Sequence, residues 1–119
     1  MNSVVLVGRV GQDPEQIKYI MPKGEQGEAI AVVNFSVAVN RWNARTKARE
    51  ADWFNVQLWG KKAETYSEWV KKGALISVEG KIALDRWQTP DGETAEKYYI
   101  RAKSFEFVGG KNESQTVAG

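Results

Sequence analysis

The sequence has no cysteine and no histidine. The first absence excludes disulfides and thiolate chemistry, and the two together remove the usual zinc ligands. Without histidine the chain also lacks the commonest general base near neutral pH; catalysis by carboxylates or lysine alone stays formally open. No apolar run approaches the ~20 residues of a membrane-spanning helix. The N-terminus, Met1-Asn2-Ser3-Val4-Val5-Leu6-Val7-Gly8-Arg9, has neither the basic lead nor the cleavage-type end of a signal peptide, so a mature cytoplasmic protein is expected. Excess charge of one sign is also missing: 17 basic side chains face 15 acidic ones, a net charge of +2. That balance decides nothing about nucleic acid, because phosphate binding needs local rather than total positive charge. Gly8 and Gly11 lie in no GxGxxG or phosphate-loop pattern, and no cofactor or metal is expected. With 119 residues the chain is long enough for one domain, whose thin core would gain from association with copies of itself.

Strand signals dominate what is present. Val4 to Val10 is apolar on both alternating faces apart from glycine and Arg9, which predicts cover by the core on one side and a partner on the other. Asp13-Pro14 breaks this strand, and Pro22 to Glu28 reads as a polar loop. Ala29 to Asn40 is a long second strand, Arg41 to Ala51 a charged, irregular hairpin arm, and Trp53 to Trp59 a third strand. Lys61 to Lys72 reads as a helix with Ala63, Tyr66 and Val70 on one face and Gly73 as its stop. Leu75 to Trp87 is a fourth strand, and Thr89-Pro90-Asp91-Gly92-Glu93 a turn. Lys97 to Val108 is a fifth strand, bulged near Lys103-Ser104 because its apolar parity switches from Ile100 and Ala102 to Phe105 and Phe107. The expected fold is all-β: a five-stranded OB-fold Greek-key barrel with one α-helix between the third and fourth strands. Residues 1–109 would be the domain and 110–119 a flexible tail.

Five tryptophans carry most of the functional argument. Side chains alternate between the two faces of a strand. Val33, Phe35, Val37 and Val39 form one core face; Phe54, Val56 and Leu58 a second; Ile76, Val78, Ile82 and Leu84 a third. The opposite parities hold Asn34, Ser36, Asn40, Asn55 and Gln57, and with them Trp42, Trp53, Trp59 and Trp87. Leaving four indoles exposed forfeits burial worth roughly 1.5–3 kcal/mol each, so something should cover them. Unpaired nucleobases are flat and stack on aromatic rings for about 1–3 kcal/mol per base, whatever the sequence. Arg41, Arg45, Lys47, Arg49, Lys61, Lys62, Lys72 and Arg86 lie nearby, so cations and aromatics interleave as a single strand requires, while duplex DNA hides its base faces. Taken singly, each ring could instead be a core lid or an oligomer contact, and each cation a solvated surface group. Trp69, beside Val70 on the helix, is assigned a packing role.

Several segments resemble the bacterial single-stranded DNA-binding protein family. They are Asn2 to Glu15, Ala31 to Asn40, Asp52 to Glu64, Lys71-Lys72-Gly73 and Val78-Glu79-Gly80, in that order along about residues 1–109. The resemblance implies an OB fold, assembled as a homotetramer, that wraps single-stranded DNA during replication, recombination and repair. It places base stacking on Trp42, Trp53, Trp59 and Trp87, and phosphate contacts on Lys61, Lys72, Arg86 and Arg41. Members of that family commonly end in a linker and an acidic tip that recruits repair proteins. Here the sequence ends Glu113-Ser114-Gln115-Thr116-Val117-Ala118-Gly119; the tail has been removed or this member has none, which argues against recruitment by that route. Met21 to Ala31 is longer than the usual connection there.

Two other classes compete. An OB-fold replication accessory protein would turn the same tryptophans toward another protein, and would bind DNA weakly. A carboxylate enzyme would draw on Asp13, Glu15, Asp52, Glu79 or Asp85, but nothing in the sequence groups them as an acid–base pair or metal site, so no enzyme is expected.

Overall fold

The computed structural model describes residues 1–12, 17–20 and 29–109. The break at Asp13-Pro14, the polar loop from Pro22 to Glu28 and the tail beyond Gly109 lie outside them, as do Asp13 and Glu15. Period-two alternation produces strands β1 (Val4–Val10), β3 (Ile30–Asn43), β4 (Ala48–Trp59), β5 (Leu75–Gln88) and β6 (Thr94–Gly109). A short strand β2 (Lys18–Ile20) precedes β3, and helix α1 (Lys61–Trp69) follows β4.

Two long hairpins make up most of the molecule. β3 and β4 pair from Val32↔Trp59 out to Asn43↔Ala48. At the tip the side-chain oxygen of Asn43 accepts the backbone N–H groups of Arg45 (2.9 Å) and Thr46 (3.2 Å), and Lys47 takes a positive φ of 58°. An asparagine that satisfies the turn's own amides replaces irregularity with a defined end, so the charged segment from Arg41 to Ala51 is a regular ladder rather than an irregular arm. β5 and β6 pair from Leu75↔Gly109 to Gln88↔Thr94. Their turn is closed by the Thr89 amide donating to the Glu93 carbonyl (2.8 Å) and by the Thr89 hydroxyl donating to the Asp91 carboxylate. That hydrogen bond, with backbone N–H groups, holds the Asp91 carboxyl below its ordinary range. The expected bulge is present: Glu79 faces Ser104 while Gly80 faces Ala102, which leaves Lys103 as the extra residue.

The five-stranded Greek-key barrel is not what forms. The structure has a six-stranded sheet in the order β1-β5-β6-β4-β3-β2, with β1 also touching β3. Two of the links that would close a barrel wall are only two residue pairs long, Val56↔Ile100 and Gln57↔Arg101 between β4 and β6, and Arg9↔Ala38 and Val10↔Val37 between β1 and β3. Beyond those short links the hairpins diverge as separate arms, and β2 adds a sixth strand against β3 at Lys18↔Val32. β1 reaches β3 because Gly8 has no side chain: a Cβ there would stand 2.3 Å from the Ala38 carbonyl oxygen.

The core fills the space between the hairpin bases and α1. It includes Val33, Phe35 and Val37, Val56 and Leu58, Ile76 and Val78, and Ile100, sealed by Ala63, Tyr66 and Val70. The Tyr66 ring stacks on Phe35 (centroids 4.0 Å apart) and meets Phe105 edge-on (5.6 Å). Helix α1 stops at Trp69, sooner than its pattern suggests, because Val70 turns extended (φ −93°, ψ 134°) to drop into the core. The third apolar face holds for Ile76 and Val78 only. Past Gly80, β5 leaves the core with its arm, so Ile82 is exposed and Leu84 half-buried.

Candidate nucleic-acid interface

Directly paired residues of two strands share a face, so ladder register sorts the arms into sides. On one side of the β3–β4 arm lie Trp42 opposite Arg49, Ala38 opposite Trp53, Ser36 opposite Asn55, Asn34 opposite Gln57 and Val32 opposite Trp59. On the other lie Arg41 opposite Glu50 and Val39 opposite Asp52. On the β5–β6 arm, Trp87 opposite Ala95, Asp85 opposite Lys97, Ala83 opposite Tyr99 and Lys81 opposite Arg101 share a side, while Arg86 opposite Glu96 is on the reverse. The two aromatic sides meet. Asn34, Ser36, Asn55 and Gln57 from one arm and Asp85, Lys97 and Tyr99 from the other line a single cleft of about 250 Å³, with Gln12 at its edge. A second, mainly apolar slot of about 440 Å³ opens where β4 and β6 separate, between Trp53 and Phe54 on one wall and Ile82, Tyr98 and Tyr99 on the other.

The four expected stacking rings differ in setting. Trp42, Trp53 and Trp87 are about half or more exposed, at 61%, 58% and 47%. Gly11 makes room for Trp53: a Cβ at Gly11 would come within 2.4 Å of the indole, so the ring can lie across the end of β1 only because that position carries none. Trp59 is half-buried. Its indole N–H donates to Gln57 Oε1 (2.6 Å), and the Gln57 amide in turn donates to Asn34 Oδ1 (3.1 Å). The Arg101 guanidinium lies over its ring, 4.6 Å from the centroid. Ser36 adds a hydrogen bond to Gln12 (3.1 Å), so the polar floor of the cleft is cross-linked side chain to side chain.

The expected phosphate contacts are dispersed. Arg41 holds Asp52 (2.8 Å) and Glu50 (3.0 Å), which raise its proton affinity further, and it lies on the side of its arm away from Trp42. Arg86 pairs with Glu96 (3.0 Å) on the side away from Trp87. Lys61 opens α1 and Lys72 follows its end, both exposed; Lys62 donates to the Lys103 carbonyl (3.2 Å), and Arg45 and Lys47 are exposed at the β3–β4 tip. The cations on the aromatic sides are instead Arg49, Lys81, Lys97 and Arg101. Of these, Arg49 is named from the sequence as a cation near the rings and Lys81 shares the parity of Trp87; Arg101 is hidden because the parallel pairing of β4 with β6, which brings it to Gln57, leaves no local pattern. Trp69 was assigned to packing, yet it is 66% exposed, because the helix turns Ala63 and Tyr66 inward instead. Among the carboxylates considered for catalysis, Asp52 is tied to Arg41, Glu79 faces Val5 and Ser104, and Asp85 lines the cleft. Among the described residues, no three acidic side chains gather as a metal site.

The model of the Single-strand binding protein family matches residues 1–108. The chain belongs to this family. Single-stranded DNA-binding protein 1 of Synechocystis is 38% identical over 115 residues, covering 96% of this chain and 88% of the relative. The Single-stranded DNA-binding protein of Neisseria meningitidis serogroup A is 40% identical over 117 residues, covering 96% of this chain, which spans 63% of that relative's length. A protein of the same description in Thermosynechococcus vestitus is 41% identical over 88 residues, 74% of this chain and 65% of the relative. Members of the single-strand binding protein family are non-catalytic, and the family match takes in β1 to β5, the helix and all but the last residue of β6.

Proposed function

We propose that this chain binds and protects single-stranded DNA without sequence preference, in the cytoplasm, during replication, recombination and repair. The observation that carries the reading is the ladder register. It sets Trp42, Trp53 and Trp59 on one side of one arm and Trp87 with Tyr99 on the facing side of the other, around a cleft of amides that also holds Lys97 and Asp85. Bases of a single strand stack on those rings, and its phosphates follow the cations between them. Lys61 and Lys72 remain candidates for phosphate contact. Arg41 and Arg86 would first have to leave their carboxylates, so Arg49, Lys97 and Arg101 are better placed. The duplex, with its base faces hidden, is a poor fit to the same track.

Two further parts of the reading concern assembly. Val5 and Val7, on the outer side of β1, are 66% and 51% exposed beside Ser77 and Glu79 of β5, a surface suited to a second copy, and a homotetramer is proposed. Residues 1–109 are proposed to form the binding domain. Titration with poly(dT) at low salt tests the whole reading. Tryptophan emission should fall steeply to saturation, and the affinity should drop as added salt weakens the gain from releasing counterions. Unchanged emission with no retention on the polymer would reject it.

A further inference from the structure

Trp59 is the half-buried member of the four proposed stacking rings, and the structure shows what covers it. The Arg101 guanidinium occupies its face at 4.6 Å, while the indole N–H is held by Gln57 and that amide by Asn34. The edge of the ring is therefore fixed and one face is taken by a cation. Among the described residues Arg101 has no carboxylate partner, unlike Arg41 and Arg86. It stands in cationic company: Lys81 is directly opposite it on β5, and Lys103, two residues on, is thrust out by the bulge. The three line an open cavity of about 570 Å³ that also holds Met1 at the chain terminus, with Glu79 as its acidic member. A guanidinium that must choose between an indole and open water settles on the indole, yet a phosphate offers it a stronger, two-pronged partner.

We propose that Arg101, with Lys81 and Lys103, forms a phosphate site beside Trp59, and that Arg101 is a placeholder on the ring. In the free protein it keeps the indole face dry. When a strand enters, a base takes that face and the guanidinium swings to the adjoining phosphate, so that one stacking event and one phosphate contact are gained together. The proposal rests on the binding reading above and deepens it by assigning a positioning residue to one ring.

The test compares wild type with Arg101→Ala and Arg101→Lys, each checked for an unchanged melting temperature, in titrations with oligo(dT) across a range of salt. Single-strand binding loses about 0.7 in the log–log salt slope for each phosphate contact removed. Arg101→Ala should show that loss, together with affinity weakened on the order of tenfold at low salt and altered tryptophan emission in the absence of DNA. Arg101→Lys should keep the slope while losing part of the affinity. If Arg101 only caps the ring, Arg101→Ala leaves slope and affinity unchanged. If it only blocks the ring, affinity rises at constant slope. Either result overturns the placeholder. A wild type that does not bind oligo(dT) at all would instead remove the binding reading itself, so the two failures are separable.

Discussion

Single side chains separate what holds the fold from what meets a ligand. Tyr66 is fully buried, its hydroxyl has no hydrogen-bond partner among the described residues, and burial pushes that hydroxyl far above the ordinary tyrosine range. The ring is needed between Phe35 and Phe105, but the oxygen is not. An unpartnered buried hydroxyl costs about 1–3 kcal/mol, so Tyr66→Phe should leave stability at pH 7 unchanged or raise it by about 1 kcal/mol in urea melts. The alkaline limb should change as well. An unfolded tyrosine ionises near pH 10 while the folded one keeps its proton, so native stability is intact below about pH 10 and falls as pH climbs beyond it. Melts of Tyr66→Phe between pH 9 and 11 should lack that share of the decline; a loss of more than ~1 kcal/mol at pH 7 would mean the hydroxyl has a partner. The exposed indoles should behave in the opposite way. Trp53→Ala should hardly move the melting temperature, since the ring is 58% exposed, but should weaken poly(dT) binding by the ~1–3 kcal/mol of one stacked base.

At the scale of elements, two glycines of the first strand region make different demands. A Cβ at Gly8 meets the Ala38 backbone carbonyl, which cannot give way without opening the β1–β3 contact. A Cβ at Gly11 meets the far edge of the Trp53 ring and the Ser36 hydroxyl, both side-chain groups that can rotate. Gly8→Ala should therefore destabilise the chain by about 1–3 kcal/mol, as overpacking does. Gly11→Ala should cost little stability but displace Trp53 and weaken poly(dT) binding several-fold; equal effects of the two on both melting and binding would refute this division of labour. The same elements show where a sequence is informative. Alternation placed Val33, Phe35, Val37, Val56, Leu58, Ile76 and Val78 in the core, and the parity switch located the bulge at Lys103, because both are local consequences of period two. β2 escaped notice because Lys18-Tyr19-Ile20 is too short to show a period. Arg101 escaped notice because its partner, Gln57, is joined to it only by a non-local parallel pairing. Ile82 was assigned to the core since alternation reports which face a side chain takes, not where an arm leaves the interior behind it. Ion pairing was equally invisible, which is why Arg41 and Arg86 looked available.

For the molecule as a whole, the remaining question is what lies over β1. Val5 and Val7 sit across from Glu79 and Ser77 of β5 and are largely exposed, although their neighbours Gly8 and Val10 are buried. Two valines moving from exposure to full burial gain about 1.5–3 kcal/mol each as an upper bound, and in a symmetric assembly every copy contributes the same pair. A single chain can tolerate their loss. Lysine at position 5 would face Glu79, lysine at position 7 would face Ser77, and both would point into water. A pair of such faces cannot tolerate it, since the new ammonium groups would be brought together and dehydrated. The double substitution Val5→Lys with Val7→Lys should therefore keep the monomer's β-sheet spectrum and lower the mass seen by light scattering below that of the proposed wild-type tetramer. Binding to a short oligo(dT) should survive, because the aromatic sides of the arms belong to one chain. Affinity for long poly(dT) should fall, because a strand can no longer engage several linked tracks at once. A wild-type mass already equal to one chain, or a tetramer indifferent to both lysines, would show that the exposed side of β1 is not where copies meet.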